Sequence, residues 1–87
     1  MIRRRIRGVI ILNDAITNKP INHNLVRFSY DDISLKMIFK ENGTVCFVDN
    51  GQGEAVDIKV VIDSEKFVKE EVIISRDNVN EVFLKIK

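Results

Sequence analysis

The amino-acid sequence predicts an all-β fold, a small antiparallel β-sandwich of about seven strands with Greek-key connections, and three observations carry that expectation. Apolar side chains recur with a period of two in three separate stretches. Turn-forming residues interrupt the chain about every 8–15 positions, a spacing that suits short strands in a sandwich or barrel. Between two of the alternating stretches stands Asn42-Gly43, a strong local hairpin signal, because both residues tolerate the positive φ of a type I′ turn.

In chain order, strands are expected over 3–12, 24–30, 33–40, 44–49, 55–63, 68–75 and 81–87. In the first, Ile6, Ile10 and Leu12 share one face and Arg3, Arg5 and Arg7 the other, the arginines about 6.6 Å apart. Thr17-Asn18-Lys19-Pro20 reverses the chain before the second. The third strand alternates Ile33, Leu35, Met37 and Phe39 with Ser34, Lys36 and Lys40, and Asn42-Gly43 folds it antiparallel onto the fourth. Asp49-Asn50-Gly51-Gln52-Gly53 marks the next reversal, after which Val56, Ile58, Val60 and Ile62 alternate with Asp57, Lys59 and Asp63. Ser64 has the chemistry of a helix cap, but Val72, Ile73 and Ile74 form a β-branched run too short for its own helix, so 68–75 is read as extended. After a turn at Arg76-Asp77-Asn78, Val82, Leu84 and Ile86 alternate with Phe83, Lys85 and Lys87.

The 87 residues, 45% hydrophobic and 31% charged, suffice for a single domain over 1–87 with a single core. One cysteine, Cys46, excludes an intrachain disulfide, a thiolate zinc cluster and a CxxC redox pair. The apolar run Val9–Leu12 is far shorter than the roughly 7–15 residues of a signal-peptide core, and no run approaches the ~20 residues of a membrane span. The expectation is a cytoplasmic protein, or one exported inside an assembly.

No catalytic machinery is expected. The lone His23 lies in the polar stretch Asn22-His23-Asn24, and Cys46, between Val45 and Phe47 on a strand, reads as a small hydrophobe rather than a nucleophile paired with it. No G-x-S-x-G, H-E-x-x-H or phosphate-cradling glycine loop occurs. Asp49–Glu54 and Asp31-Asp32 offer oxygen ligands, yet they lack the alternating acids of a calcium loop and read as solvated reversals; neither a metal nor another cofactor is expected.

The net charge of +1 conceals an asymmetry. Arg3, Arg4, Arg5 and Arg7 hold four of the fourteen basic side chains, leaving ten against thirteen acidic ones elsewhere. On a regular strand Val9 and Ile11 continue the arginine face while Ile10 and Leu12 continue the core face, so the strand is apolar on both sides in its second half. Arg3, Arg5, Arg7, Val9 and Ile11 are therefore the candidate partner-binding residues, for a protein partner or self-association. That outer end must be covered by the C-terminal strand or by another chain, and the arginines favour head-to-tail docking onto the acidic body. Two other readings of the arginines stay open: a charged edge strand that resists aggregation, and a small nucleic-acid-binding β-barrel. Against the latter, only four charges are present and no aromatic is interleaved for base stacking.

The order of these signals resembles the carboxypeptidase regulatory-like, transthyretin-like β-sandwich family. Its turn D-A-x-T-x-x-P-[IL] is matched by Asp14-Ala15-Ile16-Thr17-Asn18-Lys19-Pro20-Ile21, preceded by Gly8 two positions before the strand's hydrophobic core. Its hairpin D-x-x-G-x-[FY]-x-[FV] is matched by Glu41-Asn42-Gly43-Thr44-Val45-Cys46-Phe47 with the acid displaced by one residue, and its G-x-[YF]-x-[LV]-x-[VI] strand by Gly53-Glu54-Ala55-Val56-Asp57-Ile58-Lys59-Val60. The chain departs from the pattern at Ala55-Val56, where an aromatic is usual, and at Lys66-Phe67, in place of a Gly-Tyr corner. The resemblance implies transthyretin-like topology and a non-enzymatic binding or structural module, a subunit or adaptor in a larger assembly.

Overall fold

A computed structural model describes residues 5–31, 35–49, 57–75 and 78–87. Arg3, Arg4, Asp32, residues 50–56 of the third reversal and following strand, and residues 76–77 of the last turn lie outside them. The described residues form β1 (Arg5–Asp14), β2 (Arg27–Ser29), β3 (Lys36–Phe39), β4 (Thr44–Asp49), β5 (Ile58–Asp63), β6 (Glu70–Ile74) and β7 (Val79–Leu84), with one 3-10 turn at His23–Leu25. The fold is all-β, as expected, with each expected strand present and most of them shorter. Among the described residues no helix is long and apolar enough to cross a membrane.

Two sheets are built, one in the order β3-β4-β1-β7 and the other β2-β5-β6. The hairpins β3–β4 and β5–β6 are antiparallel, as is β2 against β5. β1 lies between two neighbours, antiparallel to β4 and parallel to β7 from Val9↔Val79 to Asp14↔Leu84. This corrects two expectations. The sandwich is not wholly antiparallel, because β7 returns from the other sheet and enters alongside β1 in the same direction. The N-terminal strand is not an edge over 9–11, where both of its ladders are occupied, whereas at residues 5–8, which include Arg5 and Arg7, the ladder among the described residues is with β4 alone.

The core lies between the sheets. Ile10 and Leu12 of β1, Val45 and Phe47 of β4 and Leu84 of β7 are buried against Val60 and Ile62 of β5 and Ile74 of β6. Each alternation of two therefore places one row of branched side chains inside, and each large one contributes about 1.5–3 kcal/mol on burial. Phe47 is met edge-on by Phe28 at 6.2 Å and by Tyr30 at 5.7 Å between ring centroids. The Tyr30 hydroxyl donates to the Leu35 carbonyl at 3.2 Å, tying the β2–β3 crossing to the core it spans.

The turns follow from side-chain chemistry. Asp14 Oδ1 accepts from the backbone N–H of Ile16 at 2.8 Å and of Thr17 at 3.2 Å, while the Asn18 N–H reaches the Asp14 carbonyl at 2.8 Å with Asn18 at φ 58°. That closed turn carries the chain to Pro20, which bridges Asn13, and to Ile21, whose N–H donates to the Leu12 carbonyl. Ser64 does act as a cap: its Oγ accepts from Lys66 and Phe67 N–H at 2.9 and 3.1 Å. It closes only a bend, after which buried Phe67 pairs with Ile86 as a single bridge.

The Asn42-Gly43 reversal has the expected positive φ at both residues, 62° and 72°. Its loop is three residues, because the Thr44 carbonyl accepts from Lys40 at 2.8 Å rather than from Glu41. The Gly43 carbonyl also accepts from Leu12 N–H at 2.9 Å, which draws the hairpin against β1 so closely that a Cβ on Gly43 would sit 2.7 Å from the Leu12 and Ile21 carbonyl oxygens. Gly43→Val therefore combines a disallowed φ, worth about 1–3 kcal/mol, with a backbone clash. The expected result is a melting temperature lowered by at least about 5 °C in a thermal circular-dichroism scan. An unchanged melting temperature would place the reversal elsewhere.

Candidate docking face

The arginine stripe is interrupted in the middle of its strand. Ile6 pairs with Val48 and Gly8 with Phe47, so β1 advances two residues while β4 advances one, and Arg7 is the extra residue of a β-bulge. Beyond a bulge the two faces of a strand exchange. Ile6, expected in the core, is 52% exposed, whereas Arg7, expected outside, is 3% exposed. Its guanidinium donates from Nη1 to Asp49 Oδ2 at 2.8 Å, both side chains being buried. Arg5 enters as the first residue of β1, paired with Asp49, and Arg3 lies outside the described residues. Arg7 is thus removed from the candidate binding residues, and the stripe Arg3, Arg5, Arg7 does not form as drawn.

Val9 and Ile11 do face outward, and the registers show what surrounds them. Three rows cross the outer face of the β3-β4-β1-β7 sheet: Lys36, Val48 and Ile6; then Ile38, Cys46, Val9 and Val79; then Thr44, Ile11 and Glu81. Lys40, one residue past β3 and hydrogen-bonded to the Thr44 carbonyl, continues the third row. Asn13 and Phe83 form a fourth. On the central strands Val48 is buried and Val9, Ile11 and Cys46 are half-buried, as is Ile38 on the outer strand β3, while Val79 and Phe83 on β7 are 62% and 47% exposed. The C-terminal strand, one of two segments expected to cover this face, instead lies beside β1 in the sheet.

The apolar positions adjoin one another across the four strands, with Lys36, Lys40, Thr44, Glu81 and Asn13 at the ends of the rows, and make a contiguous patch no larger than the largest one on an ordinary monomer, about 300–600 Å², which is often functional. The other outer face has a different character. Arg27 and Asp63 approach to 3.7 Å and Lys59 and Glu71 to 3.4 Å across β2-β5-β6, with Val61 and Ile73 between them. Those exposed pairs contribute little to stability, but they keep that face hydrated.

The remaining candidate residues do not assemble into a site. His23 stacks on Phe39 with ring centroids 4.2 Å apart, and Phe39 pairs with Val45 on the core-facing parity of its strand, whereas Cys46 is on the outer one. The sheet separates the two, so no Cys–His pair forms. Asp49, the first oxygen of the would-be metal loop, is engaged by Arg7, and Asp31 stands exposed in its turn. A shallow cleft of about 600 Å³ opens beside His23, between the β1–β2 connection and the β3–β4 hairpin, with Lys19, Lys40 and Glu41 at its walls. Sequence reasoning missed the inward turn of Arg7 and the outward turn of Ile6. The available signal was Gly8, since a glycine inside a strand often marks a bulge.

Compared with protein-family models, curated proteins and solved structures, the chain finds no match.

The Arg7–Asp49 pair makes a stability prediction. Asp49→Leu alone removes the carboxylate that accepts from Arg7 Nη1 and should cost up to about 3–5 kcal/mol in urea unfolding, whereas adding Arg7→Met should recover most of that loss. Equal destabilisation by the single and double variants would mean that packing around the bulge, and not the ion pair, holds β1 to β4.

Proposed function

We propose that this chain is a non-enzymatic docking module, a β-sandwich subunit or adaptor that joins a larger protein assembly through the outer face of its four-stranded sheet. The observation that carries the reading is the contrast between its two outer faces. One bears cross-strand ion pairs, and the other presents Ile6, Val9, Ile11, Ile38, Cys46, Val79 and Phe83 as one apolar field. A sheet face in water is ordinarily polar, so a field of this kind implies a surface that is covered in use. The family resemblance of the Asp14–Ile21 and Glu41–Phe47 motifs belongs to the same reading, since modules of that type work by docking and spacing rather than by catalysis. The alternative, a phosphate-binding barrel, loses Arg7 to the core and with it part of its charge.

The test is the size of the native complex in extracts of cells that make the protein. The wild-type chain, 10.0 kDa by itself, should elute in a larger species. Val9→Lys with Ile11→Lys should return it to monomer size, with thermal unfolding confirming that the variant is folded. If the wild type elutes as a monomer, or if the double variant stays in the large species, the reading fails.

A further inference from the structure

Charged side chains stand at both edges of the apolar face. On the β3 side the outward positions are Lys36 and Lys40; on the β7 side, in the same row as Lys40, stands Glu81. All three are exposed. Between them run rows of uncharged side chains, with the midline of the sheet falling between Cys46 of β4 and Val9 of β1. A face that is apolar at its centre, with Lys40 at one edge and Glu81 in the same row at the other, sets opposite charges against each other when turned over, while Lys85, next on the Glu81 parity, lies beyond that row.

Resting on the docking reading above, we infer that the occupant of this face is a second copy of the chain, placed by a two-fold axis that runs along the strands between β4 and β1. That operation lays β3 of one copy over β7 of the other and β4 over β1. Row by row, Ile38 meets the partner's Val79, Cys46 the partner's Val9 and Thr44 the partner's Ile11. At the rim Lys40 faces the partner's Glu81, and the contact is made twice. The alternative axis, across the strands, lays β3 on β3 and brings Lys36 and Lys40 against the same lysines of the other copy. Like charges placed opposite one another at an interface cost several kcal/mol, so the charge pattern selects the first arrangement. Sheets packed in this way keep their strands within about 30° of parallel and about 10 Å apart. The contact is isologous and closes at two copies, which replaces the head-to-tail docking expected from the arginines.

Sedimentation velocity on the purified chain, over a concentration series at low salt, tests this with two surface variants. Lys40→Glu sets glutamate against glutamate at both rim contacts, and Glu81→Lys sets lysine against lysine. Each alone should raise the dimer dissociation constant by about tenfold or more. An equimolar mixture of the two variants regenerates opposite charges at both contacts, one lysine–glutamate pair in each polarity, and should therefore form a heterodimer near wild-type strength. Restoration on mixing supports the register. Its failure, single variants that dimerise as well as the wild type, or a wild type that stays monomeric up to about 500 µM, where a dimer with a dissociation constant of about 100 µM would be mostly formed, would each overturn the proposal. The docking reading has its own readout: a chain that is monomeric when pure, yet leaves its native complex on Val9→Lys with Ile11→Lys, docks through this face onto something other than itself.

Discussion

The assignment of inner and outer faces along the N-terminal strand depends on one local event, the bulge at Arg7. A β-strand has only two faces, and one inserted residue exchanges them. After the bulge Ile10 and Leu12 enter the core; before it, the same parity would have carried Ile6 inward and Arg7 into water. The buried contact between Arg7 and Asp49 opposes that regular solution. An ion pair of this kind adds little net stability over apolar residues of equal volume. Its effect is to make one pairing of β1 with β4 far better than its neighbours, because a slip by one residue would strand a charge inside the sandwich. What is gained is register, and register decides that an isoleucine is left on the surface.

The second constraint is close approach of backbone. Around β1 the chain is drawn in at two points where a methyl group would not fit. A Cβ on Gly8 would lie 2.8 Å from the Ile74 Cβ of the opposite sheet, and one on Gly43 would strike the carbonyls of Leu12 and Ile21. These contacts set the spacing of the two sheets at one end of β1 and the seat of the β3–β4 hairpin at the other. Asp14 adds a third anchor by holding the turn that delivers Ile21 to the Leu12 carbonyl. Packing of the inner rows, position of the hairpin and the extent of the outer face are thus consequences of how tightly β1 is gripped along its length.

How much of this could be read from the chain divides along the range of the interactions. Short-range chemistry was legible: the alternation in Ile58–Ile62 and Lys36–Phe39, the positive φ of Asn42 and Gly43, and the turn after Asp14 each depend on residues a few positions apart. Interactions between distant residues were not. Arg7 and Asp49 are 42 residues apart, and nothing around Arg7 except Gly8 distinguishes it from the arginines before it. The placement of β1 as an inner strand depends on β7, some 70 positions further on, arriving parallel to it. The candidate face was half legible for the same reason. Alternation found Val9 and Ile11, but their companions Ile38, Cys46, Val79 and Phe83 join them only through two ladders that no local pattern announces.

The parallel ladder between β1 and β7 also determines how the molecule bears load. Force applied to the chain at the start of β1 and at the end of β7 pulls two side-by-side strands in opposite directions along their common axis. The backbone bonds of that ladder lie across this direction, so they are strained together and must fail together, as a lap joint does, whereas a hairpin pulled from its open end gives way one bond at a time. The antiparallel β4 ladder flanks β1 on its other side and must slide as well. A sandwich with this geometry transmits tension through a clamp made of its first and last strands, with the five between them shielded until that clamp is sheared.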